Sequence, residues 1–280
     1  MKKLTAILLI VSFGAFACSE APDEVEKKET ETENKEEQEF DLKDSSLNYV
    51  DDQKALMLNY TSTGCPGCGS WGSPTFESLA MQLPNDVIPL AVHIKYGDPM
   101  ITDISEAIAR NRTGQFYTPQ IWVNNTNIMV LNTGRIDGTA SVSKAKDVIT
   151  TSSNSDAEVK IGSAAVISKD EKKIQIKAGI INKGNLDESS EWYLATYILE
   201  DKIIWKQASS SSDHEHNYVI RACTEGNFGE AVQFTNNQFE SLTTLDLTDY
   251  WKKDELRVLT VLWKKVGNRY FYENAKLLDL

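Results

Sequence analysis

The sequence of 280 residues lacks the excess of basic residues that nucleic-acid-binding proteins carry. Its 29 Lys and Arg are outnumbered by 41 Asp and Glu, for a formal net charge of −12 at pH 7. It also lacks a basic stripe with interleaved aromatic residues. Because contacts to phosphates depend on clustered Lys and Arg, the sequence predicts no nucleic acid among the partners.

The N-terminus lacks an apolar run long enough to cross a bilayer comfortably. Its apolar segment, residues 4–16, is shorter than the about 20 residues of a transmembrane helix, and two lysines precede it. A short apolar segment behind a basic start is typical of an export signal. We therefore assign residues 1–17 to a signal peptide.

Cys18 directly follows this signal. The segment Ala15-Phe16-Ala17-Cys18 resembles a bacterial lipobox, which implies cleavage before Cys18 and lipid on its sulfur. The alternative is an ordinary signal peptide cleaved at the same bond. Residues 19–44 contain twelve Asp and Glu and four Lys, with almost no large apolar residue. Such a segment buries too little apolar surface to fold, so residues 18–44 are predicted to be a lipidated, disordered acidic tether. It acts as a spacer or helps to route the protein to the cell surface.

Cysteine is scarce, and two of the four residues form the most informative motif. Cys65 and Cys68 are separated by Pro-Gly, follow an apolar strand-like run and precede an amphipathic helical pattern. A helix N-terminus favours a thiolate over a thiol, and the thiolate is the form that attacks disulfides. The pattern predicts a redox-active dithiol, with Cys65 as the nucleophile and Cys68 as the resolving cysteine.

Two other interpretations of this pair stay open. In an oxidising compartment, a close pair also suits a fixed structural disulfide. A zinc site would use the pair as half of its ligands, but no second CxxC or spaced His pair completes a tetrahedral set. We therefore predict no metal and no other cofactor. Cys223 is left alone and is expected to be a buried small hydrophobe.

Residues 45–153 are predicted to form an α/β domain, because strand and helix patterns alternate along them. The patterns, in order, are a strand at 55–61, a helix at 74–83, a strand at 87–94, a helix opened by the capping box Asp103-x-x-Glu106, a hairpin of strands 120–124 and 128–131, and a helix at 139–149. His93 falls in the second strand and is expected to be a packed histidine.

This β-α-β-α-β-β-α order resembles the thioredoxin core, and the whole architecture resembles the bacterial lipoproteins named for a 28-kilodalton outer membrane protein. The resemblance covers residues 47–280. It rests on three segments: Tyr60-Thr61 with Gly64-Cys65-Pro66-Gly67-Cys68, Tyr117-Thr118-Pro119, and His216-Asn217-Tyr218-Val219-Ile220-Arg221. It implies a cis Thr118–Pro119 bond packed against the CxxC, with the Thr118 backbone free to bind an extended substrate; the alternative is a trans-proline that starts a strand. Trp71 is expected to shield the site or to pack in the core. Gly69 stands where the family pattern leads us to expect a proline.

Residues 157–280 are predicted to form an all-β, Greek-key, immunoglobulin-like sandwich with Trp192, Trp205 and Trp263 in its core. The predicted strands are 158–167, 172–182, 191–200, 202–208, 217–222, 230–236, 255–265 and 269–278. Asp213-His214-Glu215-His216 is the one chemical cluster, since residues two apart on a strand share a face. A catalytic metal usually needs a third protein ligand, which the sequence does not identify, so we expect an exposed polar loop and the start of a strand there.

Two functions remain in competition. The first is a membrane-anchored, extracytoplasmic thiol–disulfide oxidoreductase of the outer membrane, acting on exported protein thiols and disulfides together with a redox partner. The second is a surface or periplasmic binding or adhesion lipoprotein whose thioredoxin fold is redox-inert. The dithiol and the export signal favour the first, whereas the large second domain favours the second.

Overall fold

The computed structural model describes residues 40–95 and 97–280. The predicted signal peptide, the lipidated Cys18 and the tether up to residue 39 lie outside the described residues. Folded contacts begin before residue 45, because the Leu42 amide donates to the Gln175 side chain at 2.5 Å. None of the helices among the described residues is long and apolar enough to cross a membrane.

The first half has the alternating order that the sequence predicts. Its strands are β1 (Tyr49–Val50), β2 (Ala55–Thr61), β3 (Val87–His93), β4 (Gln120–Val123), β5 (Thr126–Asn127), β6 (Leu131–Asn132) and β7 (Arg135–Ile136). Its helices are α1 (Ser73–Gln82), α2 (Asp103–Asn111) and α3 (Gly138–Ser153), with a π-helical turn, Cys68–Gly72, leading directly into α1. β2 and β3 are parallel and buried along their whole length, as expected for strands covered on both faces.

Two local predictions in this half are wrong. The capping box of α2 is formed by Thr102 and Ser105, which exchange hydrogen bonds between side chain and backbone, and not by Asp103 and Glu106. The partner of β4 is Thr126–Asn127 and not residues 128–131. The turn is tighter than predicted because Asn124 adopts a left-handed conformation, with φ of 52°, which asparagine tolerates better than most residues.

The second half is β-rich, as predicted. Its strands are β8 (Val159–Ile167), β9 (Lys173–Asn182), β10 (Glu191–Glu200), β11 (Ile203–Lys206), β12 (Asp213–His216), β13 (Val219–Cys223), β14 (Glu230–Ala231), β15 (Gln238–Asp246), β16 (Leu256–Val266) and β17 (Arg269–Asp279), and a 3-10 turn, Lys253–Glu255, precedes β16. β12 and β15 are not among the strands that the sequence predicts. β15 has no fully buried residue, so it lacks the apolar signal that marks the other long strands.

One nine-stranded mixed sheet runs through both halves of the chain. Its main path is β17-β16-β10-β13-β3-β2-β4-β5, with β14 added beside β10. The junction is a parallel contact of β13 with β3, in which Val219 lies opposite Ala91 and the Ala91 amide donates to the Tyr218 carbonyl at 2.8 Å. The sequence does not predict this shared sheet. The boundary predicted near residues 153–157 falls between α3 and β8.

A second sheet, in the order β1-β8-β9-β15, packs against the β10 and β16 part of the long sheet. Ile161 and Ile180 of the second sheet share a core cluster with Trp192 and Leu262 of the long sheet. Trp192 and Trp263 are buried, as predicted. The prediction for Trp205 is wrong: its side chain is 49 % exposed because β11 pairs only with β12, outside both large sheets, within the described chain.

Candidate functional site

The CxxC motif lies where β2 ends and helical backbone begins. After Thr61, the chain turns through a hydrogen bond from the Cys65 amide to the Ser62 carbonyl at 3.1 Å. Helical backbone starts at Pro66. Cys65 and Cys68 form a disulfide with their Cα atoms 5.2 Å apart, and the Cys68 amide donates to Cys65 Sγ at 3.1 Å. The predicted pairing of these two cysteines is confirmed.

Both sulfurs are well covered. Cys65 is 5 % exposed and Cys68 is fully buried, so Cys65 is the more exposed of the two, as predicted, by a small margin. Trp71 is half-buried and packs against the core between α1, α3 and β4. A β-carbon on Gly138 would lie only 2.7 Å from the Trp71 indole nitrogen, so the glycine leaves room for the ring. These contacts make Trp71 at least partly a core residue.

Pro119 packs directly against the CxxC turn. The Thr118–Pro119 bond is cis, as predicted. A β-carbon on Gly67 would lie 3.1 Å from Pro119 Cδ, and one on Gly72 would lie 2.6 Å from Pro119 Cβ. The two glycines therefore leave the room that the proline ring occupies. The sequence patterns do not predict the contact of Gly72 with Pro119.

A loop from the second half of the chain also contacts the CxxC turn. The Gln207 side-chain amide donates to the Ser62 and Cys65 carbonyls, both at 3.2 Å. The Ala208 amide donates to the Thr63 carbonyl at 2.8 Å. Gln207 and Cys65 are 142 residues apart in sequence, so no local pattern could have indicated this contact.

Gly69 is explained by the same loop. A β-carbon on Gly69 would lie 2.0 Å from the Ala208 carbonyl oxygen and 2.9 Å from Gln207 Cγ. Any side chain there, or the proline that the family pattern led us to expect, would collide with backbone. The glycine at this position departs from the expected motif because it leaves room for a loop of the same chain.

All three histidines of the chain meet beneath this loop. His216 and His93 have ring centroids 5.4 Å apart, and those of His216 and His214 are 4.8 Å apart. His216 lies in β12, so the predicted strand entry is present, but the predicted exposure is wrong for His216, which is 5 % exposed. His93 is packed, as expected. Among residues 40–95 and 97–280, no group of three or more His, Cys, Asp or Glu is placed to hold a metal ion.

A carboxylate of α1 and burial act in opposite directions on two of the histidines. His214 Nε2 lies 3.1 Å from a Glu77 carboxylate oxygen of α1, and this hydrogen bond raises the pKa of His214. Burial, reinforced by the neighbouring His93 and His214, lowers the pKa of His216 to about 4. His216 is therefore neutral at physiological pH, and its Nε2 has no hydrogen-bond partner among the described protein atoms.

Asp98 connects the histidines to the CxxC turn. Its Oδ2 accepts the Thr63 amide at 2.8 Å and lies 2.9 Å from His93 Nδ1. Burial opposes its charge, but hydrogen bonds from His93, Met100 and Thr63 lower the pKa of Asp98 overall. Asp98 is not among the site residues that the sequence predicts. Its position five residues after His93, in a Gly-Asp-Pro turn, carries no signal of this role.

Cys223 lies apart from this site, in β13. Its side chain is half-buried, and burial raises the pKa of its thiol to about 11. The Sγ donates a hydrogen bond to the Glu225 carbonyl at 3.5 Å. A thiol with a raised pKa is a poor nucleophile at neutral pH, which fits the expected packing role.

Comparison with known proteins places this chain in a family of outer membrane proteins. A family model matches residues 119–268, more than half of the chain, and its proteins are outer membrane proteins. The family is Omp28, described as outer membrane protein Omp28, and the chain belongs to it. The family resemblance and the outer membrane location predicted from the sequence are confirmed. The matched segment includes Pro119 but begins after Cys65 and Cys68.

Solved structures similar to this chain include two from Porphyromonas gingivalis. HBP35 of Porphyromonas gingivalis matches with a TM-score of 0.66 and 14 % identity, covering 83 % of this chain and 77 % of that one. At this identity, the match shows a shared β-rich fold alone. A domain of the outer membrane lipoprotein Omp28 from Porphyromonas gingivalis matches with 17 % identity and a TM-score of 0.33, covering 44 % of this chain and 88 % of that one. No curated protein matches this sequence.

Proposed function

We propose that this outer membrane protein is a lipid-anchored thiol–disulfide oxidoreductase with Cys65 and Cys68 as its redox centre. In this proposal, residues 45–153 are a thioredoxin-like domain, residues 157–280 are an immunoglobulin-like β-sandwich domain, and lipid on Cys18 anchors the chain. The observation that carries the proposal is the disulfide at a strand end and helix start, packed against Pro119.

The local geometry supports Cys65 as the nucleophile. Its sulfur accepts the Cys68 amide at 3.1 Å, and the adjoining helical backbone places its positive end at the same sulfur. Both effects stabilise a thiolate relative to a thiol once the disulfide is reduced. Cys68 is fully buried behind it, the position expected of a resolving cysteine that meets only an already bound substrate.

The proposed reaction begins with attack of the Cys65 thiolate on one sulfur of a substrate disulfide. A bond forms between Cys65 Sγ and that sulfur, and the second substrate sulfur leaves as a thiolate and takes up a proton. The Cys68 thiolate then attacks Cys65 Sγ and releases the first substrate sulfur. Two electrons pass to the substrate, and Cys65–Cys68 returns to the disulfide. The reverse sequence oxidises a substrate dithiol.

The substrates in this proposal are exported proteins, because the protein belongs to the outer membrane. An extended substrate segment would bind the Thr118 backbone beside Pro119, with Trp71 at the edge of the site. A cleft of about 240 Å³ beside Trp71, lined also by Ser70 and Thr75, offers room for a substrate side chain. A redox partner in the envelope would reset the dithiol after each turnover.

Trapping of mixed disulfides tests this proposal. Cys68→Ser removes the resolving thiol, so Cys65 should remain linked to substrate proteins and appear as discrete higher-mass species that a reductant dissolves. Cys65→Ser should trap nothing, and Cys223→Ser in the native background should retain insulin-reducing activity. Equal trapping by the Cys65→Ser and Cys68→Ser variants would contradict the assigned roles.

One observation favours the competing function, a surface or periplasmic binding protein with a redox-inert fold. The disulfide is covered, with Cys65 only 5 % exposed. A structural disulfide resists the glutathione pool because its potential lies below about −300 mV. Absence of any trapped species from Cys68→Ser, together with such a potential, would support this second function.

A further inference from the structure

The loop between β11 and β12, residues 207–212, lies on the Cys65–Cys68 site. Gln207 is 4 % exposed and donates two hydrogen bonds to carbonyls of the CxxC turn. The Ala208 amide donates to the Thr63 carbonyl, as a neighbouring β-strand would. The Ala208 carbonyl fills the space above Gly69. An incoming polypeptide therefore finds the backbone carbonyls of Ser62, Thr63 and Cys65 already occupied.

The hairpin that carries this loop is attached through contacts of its inner face, including Ile203 against the buried Ala91, Met100 and Val219, and not through a large sheet. Within the described residues, β11 and β12 pair only with each other. The outer face of the hairpin is open to solvent: Ile204 is 53 % exposed, and Glu215, its partner across the hairpin, is also exposed. Its inner face rests on His93 and Glu77 through His216 and His214. Because neither large sheet includes this hairpin, it can lift without breaking a sheet ladder, as locally opening segments do.

We propose that the β11–β12 hairpin is a movable cover that must lift before an extended, cysteine-bearing peptide can reach Cys65. The proposal rests on the proposed function for its biological meaning, but the motion is a separate claim. The peptide's backbone N–H takes the place of the Ala208 N–H on the Thr63 carbonyl. Gln207 is a positioning residue, because its amide holds the closed arrangement and touches no reacting atom.

Reduction by a water-soluble phosphine measures the opening without any exchange partner. The phosphorus attacks a sulfur of the Cys65–Cys68 bond, and water then supplies the oxygen of the phosphine oxide while the two cysteines gain two electrons and two protons. We expect Gln207→Ala to accelerate this reduction by about tenfold, the shift in an opening equilibrium that follows the loss of one or two neutral hydrogen bonds. Ser211→Ala, in the exposed part of the same loop, is the matched control and should react at the native rate.

Hydrogen exchange, measured on the full mature chain, distinguishes local opening of the hairpin from a general loss of stability in the variant. The Ala208 amide should exchange much faster than amides of β3, and its exchange should speed up in Gln207→Ala in parallel with the phosphine reaction. The proposal of a movable cover would be overturned by exchange of the Ala208 amide as slow as that of β3 amides. Equal rates of phosphine reduction in the native chain and Gln207→Ala would also overturn it.

The two proposals fail separately. A faster phosphine reaction in Gln207→Ala with no mixed disulfide in the trapping experiment supports the cover and contradicts the oxidoreductase. Trapped substrates with unchanged phosphine rates support the oxidoreductase and overturn the cover.

Discussion

The Asp98 carboxylate accepts a hydrogen bond from the Thr63 amide at 2.8 Å, two residues before Cys65. The same oxygen lies 2.9 Å from His93 Nδ1, and both side chains are almost fully buried. One carboxylate therefore holds the turn that presents Cys65 and orients the histidine beneath the β11–β12 hairpin. The CxxC turn and the histidine cluster form one connected polar network.

Asp98→Asn should lower the free energy of unfolding at pH 7 by about 1–3 kcal/mol, because it removes charge-assisted hydrogen bonds from a buried group. The pKa of Asp98 is lowered in the folded state, so its stabilising contribution is present above its unfolded pKa and is lost as the pH falls through the folded pKa. The deficit of the variant should therefore shrink in strong acid. Urea unfolding at several pH values measures it, and the exposed Asp249→Asn should show no deficit.

His216 should make the protein less stable as the pH falls. Its folded pKa of about 4 lies below its unfolded value of about 6.5. Between these values, the unfolded chain binds a proton that the folded chain does not, so the free energy of unfolding decreases by up to about 3 kcal/mol. The groups around it are His93 and Asp98 beneath the hairpin, His214 on β12 and Glu77 on α1.

His216→Phe should flatten this acid-side loss relative to the native chain, as measured by denaturant unfolding between pH 7 and pH 4. His214→Gln should not, because the pKa of His214 is raised by Glu77. Its contribution is present below the unfolded pKa and is lost as the pH rises through the folded pKa. An identical pH profile for His216→Phe and the native chain would contradict a buried neutral imidazole.

Gly69→Ala should lower the free energy of unfolding by about 1–3 kcal/mol, because the new methyl group collides with the Ala208 carbonyl. Gly64→Ala is a close control, since a β-carbon there meets no atom within 4 Å. This control should be neutral or stabilise by up to about 1 kcal/mol. Thermal unfolding of both variants gives the comparison, and equal losses would show that the loop does not approach Gly69 in solution.

Local sequence patterns predict most of the helices and strands. The features that they do not predict depend on pairings between residues far apart in the sequence. β2, β3 and β10 carry apolar signals strong enough to read directly. The pairing of β13 with β3 joins residues more than a hundred positions apart, and no short-range pattern indicates it. That pairing brings β12, just before β13, to His93.

The residues of the candidate site also fall into those that a local pattern predicts and those that only the fold brings to the site. Cys65, Cys68 and Pro119 are readable because a short motif and a dipeptide mark them. Gln207 and Asp98 are ordinary polar residues in loops, and their importance depends entirely on which backbone groups the fold places beside them. The glycine at position 69 was read as a departure from a motif, whereas its cause is a loop 139 positions further along the chain.

The reduction potential of the Cys65–Cys68 pair tests the central claim most directly. The measurement uses Phe40–Leu280, which forms one compact unit, with Cys223→Ser to leave a single dithiol, equilibrated in glutathione buffers. We expect a potential between about −120 and −270 mV, the range of working thiol–disulfide oxidoreductases. A potential below about −300 mV would mean a structural disulfide and would contradict electron transfer as the function of this site.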